Sequence, residues 1–466
     1  MLNAHAQTEL DLAVQEAQAA LASEGRWPRI YERPRAQAPL EPSRGGACAP
    51  GMRVAMISLH TSPLAPLGRT RDAGGMNVYI RELARELGRS GVEVDIFTRR
   101  ADCDTPTIQR PATRVRLITL PAGPATLLQP NELHPYVAEF SCRMARFAQQ
   151  EERAYDLFHT HYWLSAAAAL PLTRAWNVPH VTMFHTVERL KNQQYGAPTS
   201  ASPASQIRIA TEQRIAATVD RICVSTEHEG EQLRHLYGLA PSRFQVIPCG
   251  VDLRAFTPGT FAERTAARQR LAPDGRPLLL FVGRLDAIKD LDLLLASVAR
   301  MRTDAILYVV GGNPDGDPEL DRLRALAGDL GLAGRVRFPG AVAQGELPDY
   351  YRAADALVVT SRYESFGLVA VEALASGAPV VAAQVGGLPS IIIHGENGLL
   401  VRWRAPEAFA EQLDLLLEEH ELHARLSAQA RSSVESFSWE RIGDEVRALY
   451  QDLTTEGRAA LACSCR

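Results

Sequence analysis

Apolar residues in this chain come in short blocks, and the blocks follow two rhythms. Compact apolar runs occupy 53–59, 92–98, 114–120, 157–159, 180–184 and 221–224. Each predicts a strand buried on both faces. Between them, 77–90, 131–150 and 205–218 carry apolar positions three and four apart, the period of a helix packed along one side. After Ile247-Pro248-Cys249-Gly250 the alternation resumes, with strands at 278–282 and 305–310 and helices at 290–301 and 318–330. Further segments follow at 336–339, 347–353, 356–360, 367–376 and 379–382, and 439–453 reads as a last helix.

Strands alternating with helices predict parallel sheets covered on both faces, an α/β architecture. The break near 240–260 divides it into two Rossmann-like, doubly wound halves facing a cleft, the place where open sheets bind ligands. The expected domains are 52–243 and 244–437. Residues 438–466 are expected to form a helix crossing back to the first half and a tail. Residues 1–51 look peripheral: 8–22 fits a polar helix and 27–50 is rich in Pro and Arg without a period. Met52 opens the first strand and is a candidate translation start.

With 466 residues the chain exceeds what a single core organises. A hydrophobic fraction of 46% with 22% charged residues is that of a soluble globular protein. A net charge of −4 argues against a nucleic-acid or anionic-membrane binder, and no apolar run reaches the roughly 18 residues of a membrane span. The seven cysteines are scattered without a Cys-x-x-Cys pair, against both a disulfide framework and a zinc ribbon. Residues 1–51 lack the basic start and apolar core of a signal peptide, so the expected location is cytoplasmic. Of the 50 basic side chains, 48 are arginine; only Lys191 and Lys289 are lysine. A compact ammonium cannot always be replaced by a planar fork, which marks these two as candidate site residues.

In the second half, the strand at 278–282 ends in Gly283-Arg284, and Lys289 follows five residues later. Glu364-Ser365-Phe366-Gly367-Leu368 precedes Glu372. A helix starting near Gly367 would leave N–H groups at Phe366, Gly367 and Leu368 and its positive dipole end facing the cleft, a pocket for a diphosphate. Arg284 and Lys289 would add full charge on the same oxygens. In the first half, His60-Thr61-Ser62-Pro63 opens a loop that runs to Asp72-Ala73-Gly74-Gly75-Met76-Asn77. Paired glycines at a helix entrance permit close approach of a ligand. The loop carries no G-x-G-x-x-G, which counts against a nicotinamide-dependent oxidoreductase. Asp-x-Asp is absent as a metal motif, and no metal is expected.

The GR…K element, ESFGLVAVE and the following SGAPVVAAQVGG together resemble the donor half of the retaining nucleotide-sugar glycosyltransferases of family 4, which have the GT-B fold. The resemblance runs from about residue 53 to 453. It implies that Arg284 and Lys289 bind the leaving diphosphate, that Glu364 contacts donor-sugar hydroxyls, and that Glu372 holds the ribose. Gly75, Val342, Phe366, Gly367 and Leu368 complete the implied donor contacts. HTSP, DAGGMNVY and His159-Thr160-His161-Tyr162-Trp163 are similar to two branches of the family, the inositol-phosphate N-acetylglucosaminyltransferases of mycothiol synthesis and the sucrose-phosphate synthases. The segment 131–136 leans toward the second branch. By this resemblance His185 stands beside the donor sugar and counts, with Arg284, Lys289 and Glu364, among the catalytic group.

Tyr162, Thr186, Lys191 and Arg208 then surround a phosphorylated acceptor, with His60, Asp72, Gly74, Gly75, Met76 and Asn77 lining the same side. Related enzymes carry a further lysine for that phosphate where this chain has Pro130; Arg110, Arg114 and Arg116 are candidate replacements. An alternative is that Lys191 and Arg208 pair only with nearby acids such as Glu188 and Glu212, and that the acceptor is neutral. The implied activity is retaining transfer of a hexosyl unit from a uridine diphosphate sugar to a small acceptor such as inositol phosphate, or alternatively fructose 6-phosphate. No cofactor is required, and a homodimer is left open. A nucleotide-sugar-binding regulator without turnover is the rival from another class.

Overall fold

The computed structural model describes residues 51–65, 74–194, 202–314 and 316–464. The helix expected at 8–22 lies outside them, as does Asp72. The first half contains β1 (Arg53–Ile57), α1 (Gly75–Arg89), β2 (Glu93–Arg99), β3 (Ile108–Ala112), β4 (Val115–Leu120), α2 (Val137–Gln150), β5 (Leu157–His161) and α3 (Trp163–Trp176). It continues with β6 (His180–Met183), α4 (Glu188–Gln194), α5 (Pro203–Thr218), β7 (Arg221–Val224), α6 (Glu227–Tyr237) and β8 (Phe244–Val246). Their sheet has the order β3-β4-β2-β1-β5-β6-β7-β8. All pairings are parallel except that of β3 with β4.

The second half contains α7 (Phe261–Leu271), β9 (Leu278–Val282), α8 (Leu291–Arg300), β10 (Ile306–Val310), α9 (Pro318–Asp329), β11 (Val336–Gly340) and α10 (Leu347–Ala353). Then come β12 (Ala356–Val359), α11 (Leu368–Ala375), β13 (Val380–Ala383), β14 (Gly398–Val401), α12 (Pro406–Glu418), α13 (His420–Ala430) and α14 (Trp439–Ser464). The second sheet runs β11-β10-β9-β12-β13-β14 and is parallel throughout. The expected α/β, two-sheet architecture is therefore the one the chain adopts.

Strand residues divide by parity between the layers, as the two-residue period of a strand requires. Val54 and Met56 face one apolar cluster, while Ala55 and Ile57 face another. In β9, Leu278 and Leu280 join the first of these clusters, and Leu279 and Phe281 face a third. The first cluster is continuous between the halves: Tyr79 of α1 packs edge-on against Trp439 of α14, their ring centroids 5.6 Å apart, and Ile442, Val446 and Tyr450 are buried with them. The final helix thus returns to lie on α1 of the first half.

Two departures from the sequence-based expectation have local causes. The helix expected over 131–150 begins at Val137, preceded by 3-10 turns at Pro130–Glu132 and His134–Tyr136. Pro135 has no N–H to give and disfavours the helical conformation in His134. The helix Trp163–Trp176 has no period to read because it is buried nearly all round, Pro171 included.

Candidate functional site

Both sheets reverse strand order at one point, between β1 and β5 in the first and between β9 and β12 in the second. Loops leaving the carboxyl ends of strands diverge at such a switch point and leave a crevice. His60 follows β1, Tyr162 follows β5 and His185 follows β6. Arg284 and Lys289 follow β9, and Glu364 follows β12. The candidate residues of the two halves therefore converge on the strand ends that bind ligands.

Two of these residues sit in backbone conformations that side chains rarely adopt. Tyr162 has φ 76° and ψ 154° at the N-terminus of α3, and His185 has φ 59°. Strain of this kind costs on the order of 1–3 kcal/mol per residue and persists only where surroundings enforce it. The surroundings are aromatic. The His60 and Tyr162 rings lie 4.3 Å apart, and Tyr79 meets both His161 and His185 edge-on. His185 Nε2 is 3.0 Å from His161 Nδ1, and His159 Nδ1 is 2.6 Å from the Tyr450 hydroxyl on α14. Burial drives the pKa of His60, His159 and His185 down to about 3, and that of His161 well below its ordinary value. The cluster is uncharged at neutral pH. His185 can therefore exchange a hydrogen bond with a ligand without placing a cation there.

Next to it lies a buried ion network. Arg208, with 4% of its side chain exposed, donates from Nε to Glu212 at 2.7 Å and from Nη1 to Tyr162 Oη at 2.9 Å. Its Nη2 donates to the Thr186 carbonyl at 2.9 Å and to Thr186 Oγ1 at 3.1 Å. Nη1 also stands 3.1 Å from the Glu188 carboxylate. Burial works against the guanidinium charge, but Tyr162, Glu212 and Glu188 outweigh it and hold the pKa raised. Lys191, the other cation of this side, is exposed on α4, with no ion pair to its ammonium among the described residues. Asn77 is buried, and its side chain is engaged within the protein: it donates to Thr61 Oγ1 and the Ser62 carbonyl and accepts from the Gly74 N–H. It fastens the loop after His60 to the start of α1. Met76 packs half-buried against the apolar core.

In the second half the charges are fewer and more open. Lys289 Nζ lies 2.5 Å from Glu364 Oε2, and Ser361 Oγ donates to the same carboxylate at 3.3 Å. Arg284, with 39% of its side chain exposed, reaches Asp286 only at 3.5 Å. Gly367 is the N-terminal residue before α11, at φ 112°. Among the described residues, the N–H groups of Phe366, Gly367 and Leu368 donate no hydrogen bond to the protein. That leaves donors and a dipole end beside two cations, an arrangement suited to a diphosphate. Glu372, one turn further in, accepts from Tyr351 Oη at 2.8 Å, and burial raises its pKa to about 7. Val342 lies half-buried in the loop after β11.

The halves touch across the crevice. A Cβ at Gly75 would stand 3.0 Å from Leu368 Cδ1, and one at Gly74 would stand 3.6 Å from Arg284 Nε. Arg81 of α1 donates to Gln344, two residues beyond Val342. Gly74, Gly75, Arg284 and Leu368 are thereby brought together, as are Tyr162, Thr186 and Arg208. The replacements suggested for the lysine missing at Pro130 are not: Arg116 is held in β4 by Asp95 and Glu151. Arg114 lies in the turn before β4, at the opposite end of that strand, and Arg110 lies on the edge strand β3.

Further residues shape the site: Gly386 and Gly387 close the SGAPVVAAQVGG segment, while Asp290 had no functional signal in the sequence. Gly386, at φ 53°, leaves no room for a side chain, since a Cβ there would be 1.9 Å from the Glu364 carbonyl. The next N–H, of Gly387, donates to that carbonyl at 2.8 Å. Asp290 receives Arg362 at 3.2 Å and also Arg404, and so anchors the loop that ends in Lys289. The pairing of Arg208 with Glu188 and Glu212 is the alternative raised from the sequence, though Lys191 does not share it among the described residues; the partnership of Tyr450 with His159 joins segments remote in the chain and had no signal there.

Comparison with known proteins agrees with this geometry. Residues 73–255 match the model described as Glycosyltransferase Family 4, and residues 263–433 match Glycosyl transferases group 1. The chain is 41% identical over 409 residues to a D-inositol 3-phosphate glycosyltransferase of Xylanimonas cellulosilytica, covering 87% of this chain and 97% of the relative. Its identity to the like-named protein of Thermobifida fusca is 40% over 436 residues, 92% of this chain and 99% of that one. Among solved structures, sucrose-phosphate synthase from Thermosynechococcus elongatus superposes with a TM-score of 0.79 at 32% identity, covering 87% of this chain and all of that one.

Proposed function

This chain belongs to the family 4 glycosyltransferases and is an enzyme of that class with the GT-B fold, and we propose that it moves a hexosyl unit, with retention of configuration, from a uridine diphosphate sugar to a small phosphorylated polyol. Glucose and N-acetylglucosamine are the donor sugars in view, and inositol phosphate is the leading acceptor. The observation that carries the reading is the meeting of Arg284, Lys289 and the start of α11 at one switch point with His185 and the Arg208 cluster opposite.

Breaking the bond between the anomeric carbon and the diphosphate leaves negative charge on the phosphate and positive character on the sugar. In this reading Arg284, Lys289 and the N–H groups of Phe366, Gly367 and Leu368 stabilise the departing diphosphate. Glu364 holds Lys289 in place before the donor arrives and then turns to the sugar hydroxyls. Glu372 receives the ribose, Val342 borders the base, and neutral His185 contacts the sugar. The acceptor enters from the side of His60, Tyr162 and Thr186, and attacks on the face the diphosphate leaves. The chain's own cations supply the electrostatics, and the reading calls for no divalent ion or cofactor.

Fructose 6-phosphate is the second reading, favoured by the sucrose-phosphate synthase superposition. The test is uridine diphosphate release from each sugar nucleotide, with and without inositol phosphate and fructose 6-phosphate. Acceptor-dependent release with one of them supports the proposal. Absence of release with every pairing, in protein that binds uridine diphosphate, overturns the substrate assignment.

A further inference from the structure

Resting on the acceptor side just proposed, the structure assigns to Glu188 the control of acceptor selection: its carboxylate occupies the ground an acceptor phosphate needs on Arg208, so the phosphate binds by displacing it. A guanidinium has five N–H donors in a fixed fork and nothing more to offer. In Arg208 the Nε edge serves Glu212, Nη2 serves Thr186 twice, and Nη1 is shared between Tyr162 and Glu188. No edge of the fork is left for a ligand. The two carboxylates flanking it leave the trio with one net negative charge, which repels an arriving dianion.

The two acids are held very differently. Glu212 is fully buried and receives Arg208 Nε, Tyr237 Oη at 2.7 Å and the Glu188 N–H at 3.1 Å. Removing it would strand three donors. Among the described residues, the Glu188 carboxylate has one ion pair, to Nη1 at 3.1 Å, and 12% of its side chain reaches solvent. It stands at the first turn of α4, the short helix that also carries the exposed Lys191. If Glu188 swings outward, the share of Nη1 that it holds is released beside the Tyr162 hydroxyl and Thr186 Oγ1, which stay on Arg208, and Lys191 on the same helix is a further cation without an ion pair among the described residues. A phosphate offers several acceptors to that set and carries more charge than the carboxylate it replaces. The exchange stays possible but is always opposed by Glu188, while an unphosphorylated acceptor leaves the carboxylate in place.

The deciding experiment uses the full chain, with Glu188→Gln and Glu188→Ala beside the wild type. One readout is calorimetric binding of inorganic phosphate. The other is the KM for inositol phosphate and fructose 6-phosphate, each relative to its unphosphorylated form. Removing one like charge next to the phosphate is expected to tighten phosphate binding about tenfold and to lower the KM ratio by the same order. Glu188→Gln keeps the shape of the side chain, so a gain there cannot come from lost packing. Turnover of phosphorylated acceptors with phosphate binding and KM ratio unchanged in both variants would overturn the role of Glu188 and leave the proposed reaction standing. Tighter phosphate binding in the variants without any turnover of phosphorylated acceptors would overturn the phosphorylated acceptor and, with it, the control of acceptor selection by Glu188. Weaker phosphate binding in both variants would also overturn the role given to Glu188.

Discussion

The two walls of the crevice hold their charges in opposite ways. On the first wall, Arg208 is buried, saturated with partners and counterbalanced by Glu188 and Glu212. Beside it stands an uncharged histidine cluster, with His185 and Tyr162 on strained backbone. On the second wall, Lys289 and Arg284 are partly exposed beside Glu364 and Asp286, and N–H groups that donate to no protein acceptor among the described residues lie alongside. A buried, saturated cation holds structure, because removing it strands charges that water cannot reach. A cation at an open edge keeps most of its capacity for a ligand. The same residue type therefore does different work on the two walls.

That contrast can be broken by deleting one cation at a time. Arg208→Ala leaves Glu212 buried without its cation, and breaking such a pair costs roughly 3–5 kcal/mol. The expected outcome is a large drop in the urea midpoint. An unchanged midpoint would mean that the first wall is no more structural than the second. Lys289→Ala and Arg284→Ala should do the reverse, lowering turnover by about 10²–10³ while the midpoint stays close to that of the wild type. Near-normal rates in both variants would remove the donor site from the second wall.

Glu372 sharpens the comparison through pH. Its pKa rises from 4.5 to about 7 because burial disfavours the charged form. The folded state then holds this proton more tightly than the unfolded chain, so the stability it contributes is complete below 4.5 and is lost as pH rises to about 7. As the carboxylate forms, its capacity to accept from ribose hydroxyls grows, and uridine diphosphate should bind several-fold more tightly above that pH than below it. In Glu372→Gln both trends should flatten, seen in thermal melts and in nucleotide titrations over the same range. Identical pH profiles in the two proteins would argue that Glu372 stays ionised throughout and has no ribose contact. The smallest effect is expected from Gly75→Ala. Its methyl would meet Leu368 across the crevice at 3.0 Å, so that flexible side chain must shift slightly. A few-fold loss in kcat/KM with unchanged stability is the expected result. A loss as large as that of Lys289→Ala would show that closure tolerates no adjustment there.

Much of the second wall is legible in the amino-acid sequence, because its residues are close along the chain and their chemistry is local. Arg284 and Lys289 lie in the segment that follows one strand, and Glu364 and Glu372 bracket the start of one helix. Parts of the first wall are legible only as residue types. Arg208 and Lys191 can be named as cations near a site, but their opposite states cannot. Arg116 looks available in the sequence and is in fact committed to Asp95 and Glu151. The helix 163–176 is invisible to periodicity because it has no solvent face to break its apolar run.

What the sequence determined by itself was the alternation of the central strands with amphipathic helices, the α/β class with its two sheets, and several candidate residues after strand ends, but not the helix 163–176 or the helices 406–418 and 420–430. These follow from spacing along the chain, since burial imposes periods of two and near four on any strand or helix. Whether a charge is open or satisfied was decided only in three dimensions. Glu364 reaches Lys289 across 75 positions, and Tyr450 reaches His159 across 291. No local pattern encodes such meetings. They depend on where the strand ends aim each side chain, and that direction is set by the packing of layers formed from distant segments.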